Sequence, residues 1–385
     1  MERILERFPC FDAVVYGEGE ETVRHLAERG ADAAAYADIP NLLYLRDGRV
    51  CRTAERPVAD LDQLPRPAYH PAVYPAMAGN DKIRIIVVDE SRGCRNECAF
   101  CIHPIKSHRQ QRTKSVPRLV GEINNLAREH GCRSFRFAGS CTPYSLLNAF
   151  AAEIRRQGLA VNYASFAHIR DYEMAEFELL RSSGCRALFF GIESGCQRVL
   201  DRMRKRIRKA DISETVRRVK AAGIFAVGSL IFPAPGDDAA SEQETLELLA
   251  AEKPDAVTLQ APVVAPRTDW FEAPDRYGIR LPDRERYLDA AMVWKIKLVL
   301  PPSFWDSLPV WIDGHNYRQV LRKAMAFSRR LAALGIPTAI SDETYLMSVK
   351  AGMDPVAFRD RILRAFFCGD ADDVAALVAA INATP

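Results

Sequence analysis

Ser91-Arg92-Gly93-Cys94-Arg95-Asn96-Glu97-Cys98-Ala99-Phe100-Cys101 places three thiols, Cys94, Cys98 and Cys101, at C-x3-C-x2-C spacing. A short apolar run, Ile83–Val88, precedes the stretch and reads as a β-strand. Three thiolates on one loop at the end of a strand can hold three irons of a cubane cluster. The fourth iron is then left without a protein ligand. A structural zinc is the alternative, and His103 is close enough in sequence to serve as its fourth ligand. Arg92 and Gly93 shape the loop; Asn96 and Glu97 are expected to face solvent.

Outward from this loop, the chain alternates strand and helix, the pattern of parallel βα units. Strands are expected at Ile83–Val88, Ser134–Ala138, Val161–Ser165, Ala187–Ile192, Phe225–Phe232 and Ala256–Gln260. Helices are expected at Val116–Glu129, Ser145–Gln157, Glu173–Ser182, Ile212–Ala222 and Ser241–Ala251. Gly131, Gly158, Gly184 and Gly223 follow helices, where a left-handed cap favours glycine. Six strands over this length are too few for a closed eight-stranded barrel of about 250 residues. In barrels of this kind the chemistry sits at the C-terminal ends of the strands, which is where the cysteine loop falls.

The cysteine pattern, with Phe100 as its aromatic, resembles the signature of the radical S-adenosylmethionine (SAM) enzymes. The resemblance implies an α/β fold, an open six-unit βα barrel of partial TIM type over residues 81–270. It implies a 4Fe–4S cluster on Cys94, Cys98 and Cys101, with SAM chelating the unique iron. One electron from the cluster then cleaves SAM to a 5′-deoxyadenosyl radical, so an external one-electron reductant of the flavodoxin or ferredoxin type is an implied partner. Gly191-Ile192-Glu193-Ser194 is similar to the family's motif after the fourth strand, which gives Glu193 and Ser194 to the ribose hydroxyls. Ala138-Gly139-Ser140 stands where the family has Gly-Gly-Glu, so Gly139 and Ser140 would meet the SAM amino group without an acid. Among Arg198–Lys209, Lys205 takes the place of the basic residue that meets the SAM carboxylate, although a solvated helix face is the plainer reading of that run. Gly228–Pro233 resembles the fifth-strand segment against adenine.

Which branch of the family is implied depends on the first residues. Asp12–Glu20 resembles the last strand and turn of the cobalamin-binding domain that precedes the barrel in one large branch. Residues 1–35 are therefore expected to be the remnant of a Rossmann-like domain. Residues 36–80 are a proline-rich linker whose Leu61–Pro67 is similar to that branch's connector. Asp47-Gly48 between Asn41–Leu45 and Arg49–Arg52 predicts a hairpin. The Asp-x-His-x-x-Gly cobalt-ligand motif is missing, and Asp313-Gly314-His315 reads as coincidence. Either the chain is a piece of a longer, N-terminally truncated product or its lineage lost cobalamin. The branch implies methyl transfer to an unactivated carbon of a small metabolite. A cobalamin-free rearrangement, cyclisation or oxidation is the second reading, and a zinc-stabilised binding protein the third.

Composition narrows the classes. The chain has 385 residues, 53 basic and 50 acidic, with a net charge of +3, which gives no electrostatic footprint for nucleic acid. No apolar stretch is long enough to span a bilayer and Met1–Arg7 is charged, so a cytoplasmic protein without membrane contact is expected. Of ten cysteines only the three at 94, 98 and 101 cluster; most of the other seven are expected to be buried small hydrophobes. Residues 271–385 read as mainly helical, and the four tryptophans, Trp270, Trp294, Trp305 and Trp311, either pack that region or line a substrate pocket.

Overall fold

The computed structural model describes residues 2–8, 10–30, 33–69, 72, 85–297 and 307–383. The chain divides into two compact units, Met1–Pro67 and Ala68–Pro385.

In the first unit the strand Ala13–Val15 pairs antiparallel with Leu42–Arg46, which pairs with Arg49–Arg52. The predicted hairpin forms, with Asp47 at φ 50° and Gly48 at φ 71° in its tight turn. The strand from the first 35 residues and the later hairpin thus share one sheet, across the break expected at 35/36. Its strands run antiparallel, where a Rossmann-like sheet would run parallel. The other expected break, at 80/81, lies outside the described residues.

The second unit is built on six parallel strands. They are β1 (Ile85–Val88), β2 (Ser134–Phe137), β3 (Asn162–Ala167), β4 (Cys185–Glu193), β5 (Phe225–Ile231) and β6 (Ala256–Gln260). Each pairs with its neighbour in sequence order, and β1 and β6 stand at the two ends of the sheet. All six strands fall where the hydrophobic pattern places them; Ile83 and Arg84 lie outside the described residues. The connecting helices are α1 (Val116–His130), α2 (Tyr144–Arg156), α3 (Phe177–Ser182), α4 (Lys209–Ala221) and α5 (Ala239–Glu252). Local chemistry sets α1: the Ser115 hydroxyl accepts from the Arg118 N–H, and Gly131 at φ 63° ends the helix.

Helices α1 to α5 cover one face of the sheet through Leu119, Ile123, Phe150, Leu180 and Val216, packed with Phe135, Tyr163 and Phe190. The other face meets the C-terminal region. The helix Asp342–Ala351 sets Leu346 against Ala164 of β3 and Ala187 of β4, and Tyr345 stacks on Phe225 at 3.9 Å. Its Asp342 carboxylate accepts from the Arg136 Nε at 3.1 Å. A segment just before this helix also lies along the free side of β6. The Val257 N–H donates to the Pro337 carbonyl and the Ala339 N–H to the Val257 carbonyl. Trp270 and Trp294 are buried among Phe271, Tyr277 and Tyr287, which is packing, while Trp305 lies outside the described residues. The C-terminal region is mainly helical as expected, with helices at Tyr317–Ala333, Pro355–Cys368 and Ala371–Ala383 besides Asp342–Ala351.

Candidate active site

The cysteine loop leaves the C-terminal end of β1. Its base is clamped where Ser91–Arg92 pairs antiparallel with Arg112–Thr113. Gly93 is needed at this clamp. Its φ is 85°, and a Cβ there would stand 2.0 Å from the Gln110 carbonyl oxygen. Farther along, the Ala99 N–H donates to the Met203 carbonyl, and the Ala99 carbonyl accepts from the Trp270 N–H. The loop is thereby tied to the segments following β4 and β6. Phe100 leans on Trp270 with ring centres 5.5 Å apart.

Within the loop Cys94 is buried, while Cys98 and Cys101 are half-buried. A hydrogen bond from the Cys141 thiol, aided by Asn96, holds the Cys94 thiol down to about 6 against burial, so it is ready as a thiolate. Burial dominates at Cys98 and Cys101 and raises both thiols, Cys101 to about 12. Asn96 corrects the expectation that it faces solvent: it is buried, and its Nδ2 donates to the Cys94 sulfur at 3.3 Å. Glu97 is half-buried and pairs with Arg109 and Arg206.

Among the described residues no three His, Cys, Asp or Glu side chains stand close enough to ligate a single ion. A cubane presents three irons at separate corners, so its thiolates stand farther apart than those around one ion. Three cysteines on a clamped, part-buried loop fit that larger group. They are the residues that would hold it.

The end of β4 carries the second feature. Pairing with β5 skips Ile192, matching Gly191 to Ser229 and then Glu193 to Leu230. This bulge, with Glu193 at φ 64°, re-aims the carboxylate. Glu193 Oε1 accepts from Lys205 Nζ at 2.8 Å, and both side chains are buried. The pair lies over Gly191, where a Cβ would meet Glu193 Oε1 at 2.3 Å and Lys205 Nζ at 2.6 Å. Burial alone would lower the Lys205 ammonium, but Glu193, with Cys98 and Cys101 farther off, outweighs it and raises its pKa. Ser194 is tied inward: its Oγ accepts from the Cys196 N–H and stands 3.4 Å from Thr245 Oγ1.

The run around Lys205 is not a helix face. The helix Gln197–Arg202 ends, Arg204 and Arg206 take φ of 53° and 55°, and the charges pair individually: Arg198 with Asp238, Arg204 with Asp269, Arg208 with Asp211.

After β2, the Gly139 N–H donates to the Glu90 carboxylate and Ser140 Oγ stands 2.8 Å from His103 Nδ1. Glu90 is fully buried and also accepts from Thr142 Oγ1 at 2.6 Å and Ser91 Oγ at 2.9 Å. Burial raises its pKa against those bonds. Sequence reasoning missed Glu90, and it missed Cys141 and His168 as neighbours of the loop. A carboxylate two residues past an apolar strand was the available signal for Glu90; the other two had none.

Residues 91–249 match the radical SAM superfamily. An uncharacterized methyltransferase of Pyrococcus horikoshii is 27% identical over 249 residues, covering 64% of this chain and 54% of that protein. An anaerobic magnesium-protoporphyrin IX monomethyl ester cyclase of Cereibacter sphaeroides is 24% identical over 342 residues, covering 84% and 54%. The chain thus spans about half the length of these curated relatives. Among solved structures, the radical SAM methyltransferase TsrM of Kitasatospora setae, with cobalamin and a 4Fe–4S cluster bound, has the same fold. Its TM-score is 0.69 at 15% identity, covering 100% of this chain and 79% of that one.

Proposed function

With residues 91–249 of the chain belonging to the radical SAM superfamily, we propose that the protein cleaves SAM reductively and transfers a methyl group to a carbon of a small metabolite. The observation that carries this reading is the clamped cysteine loop at the strand ends of an open parallel barrel. When bound there, the cluster and SAM supply an electron and a 5′-deoxyadenosyl radical; the protein supplies orientation and exclusion of water. Cys94, Cys98 and Cys101 would hold the cluster. Phe100, Gly139, Ser140, Glu193, Ser194 and Lys205 are proposed to surround SAM. Lys205 keeps a positive charge beside the thiolates, which offsets their negative charge. A flavodoxin- or ferredoxin-type protein is proposed as the electron donor.

Anaerobically reconstituted protein is expected to bind iron and sulfide in equal, roughly fourfold amounts and to form 5′-deoxyadenosine from SAM under reduction. Cys98→Ala should abolish both. A colourless protein holding one zinc and leaving SAM intact would overturn the reading. Cobalamin is proposed as a second cofactor, supported by the TsrM-like fold. A cobalamin-free rearrangement, cyclisation or oxidation is the second reading, favoured by the antiparallel strands of Met1–Pro67. Stoichiometric co-elution of added cobalamin with the chain supports the first; its absence supports the second.

A further inference from the structure

A cavity of about 290 Å³ opens between the cysteine loop, the turn into α2 and the end of β3. Arg95, Asn96, Cys141, Tyr144, His168 and Asp171 are among the residues that line it. Three of the lining residues each carry a buried polar atom with no hydrogen-bond partner among the described residues: Asn96 Oδ1, the Tyr144 hydroxyl and His168 Nε2. Asn96, Tyr144 and His168 are only 7%, 3% and 9% exposed. Buried polar groups are as a rule hydrogen-bonded, so three left unsatisfied around one cavity mark a place built for a ligand.

The bonding of each side chain fixes what it offers. His168 Nδ1 accepts from the Arg170 N–H at 3.0 Å, so the neutral ring carries its proton on Nε2 and presents a donor. Burial, with Lys205, Arg170 and Arg95 nearby, lowers its pKa to about 2 and keeps the ring neutral. Asn96 already donates through Nδ2 to Cys94, so its free oxygen is an acceptor. Tyr144 adds a hydroxyl. Arg95 pairs with Asp171 at 3.0 Å and Arg170 reaches the same carboxylate at 3.6 Å, two cations to one anion, which leaves a positive surplus.

We propose that this cavity binds the α-amino-acid end of the enzyme's second substrate. The carboxylate accepts from His168 Nε2–H and Tyr144 O–H, and the ammonium donates to Asn96 Oδ1. A neutral amide satisfies the same hydrogen bonds but not the surplus charge. The proposal rests on reading the adjacent cysteine loop as the reaction centre. SAM ends in the same head group, so the test must separate the two sources.

Equilibrium dialysis of radiolabelled L-alanine against the reconstituted full-length chain provides that test. L-Alanine should bind, and L-alaninamide and propionate should each bind at least about tenfold more weakly, the loss of one charge-assisted contact. Tyr144→Phe and His168→Gln should each weaken alanine by about the same factor, with the circular-dichroism melting transition retained. Tyr144→Phe removes one oxygen only, so it reports even where His168→Gln fails to fold. Alanine should stay bound at saturating SAM. Displacement by SAM, equal binding of alaninamide, or unchanged affinity in the Tyr144→Phe variant each overturns the proposal. Alanine binding needs no electron transfer, so its failure leaves 5′-deoxyadenosine formation untouched. Loss of that chemistry with alanine still bound would remove the proposed function alone.

Discussion

Two buried carboxylates stand at the strand ends of the barrel, one after β1 and one closing β4, and their surroundings differ. Glu90 is held by neutral donors only: the Gly139 N–H, the Thr142 and Ser91 hydroxyls, with Ser165 donating on to Thr142. Glu193 is held by an ammonium, Lys205, in a bulge that re-aims it. The first arrangement joins the cysteine loop to the turn after β2 through neutral donors. The second keeps two opposite charges out of water beside the cysteines, an arrangement that stability alone does not favour. A buried ion pair retained at this place points to electrostatic work on what binds there.

That contrast can be broken by removing one member of each. Lys205→Met leaves Glu193 buried and unpaired, and should cost about 3–5 kcal/mol in chemical denaturation. A cost below about 1 kcal/mol would place the pair in the class of exposed ion pairs. Glu90→Gln keeps shape and one acceptor oxygen, and should cost about 1–2 kcal/mol, since no charge is stranded. If Glu90→Gln proved the more damaging, the roles assigned to the two corners would be reversed.

The smallest expected effect is in pH dependence, and it has the same sign at the two sites but falls in different pH windows. Glu90 holds its proton more tightly folded than unfolded. Its contribution is therefore present at low pH and lost as pH rises from the ordinary glutamate value near ~4.3 toward the raised folded value. Lys205 is raised by its partner. Its contribution is complete below the ordinary lysine value of about 10.4 and lost only as pH climbs past it. Urea titrations across pH should show the acid-side decline disappear in Glu90→Gln and the alkaline one in Lys205→Met.

The barrel was legible because its signals are local. Runs such as Ile85–Val88 and Phe225–Ile231 are apolar, glycines such as Gly131 and Gly223 mark helix ends, and the cysteine spacing lies within eleven residues. The direction of Ala13–Val15 was not legible, because a three-residue strand carries no mark of which way its partner runs. The cavity was equally hidden. Asn96 and His168 come from two loops and Tyr144 from the first position of α2, and each alone reads as ordinary packing or solvent exposure. Lys205 was read as the base for the SAM carboxylate and Glu193 as a ribose ligand, and neither reading foresees that the two pair. Side chains whose role is set by tertiary neighbours leave no periodic trace.

The segment Pro337–Ala339 along β6 has a consequence for solubility. An open barrel, unlike a closed one, keeps two strand edges, and an exposed edge is a template for pairing with another molecule. At Val257 both the N–H and the carbonyl are already taken by this segment, and Pro337 has no N–H of its own to offer outward. The C-terminal helices therefore also carry a plug for the sheet's flank. A chain stopped before Gly335 should expose that flank and self-associate, even with its cysteine loop and its cavity intact.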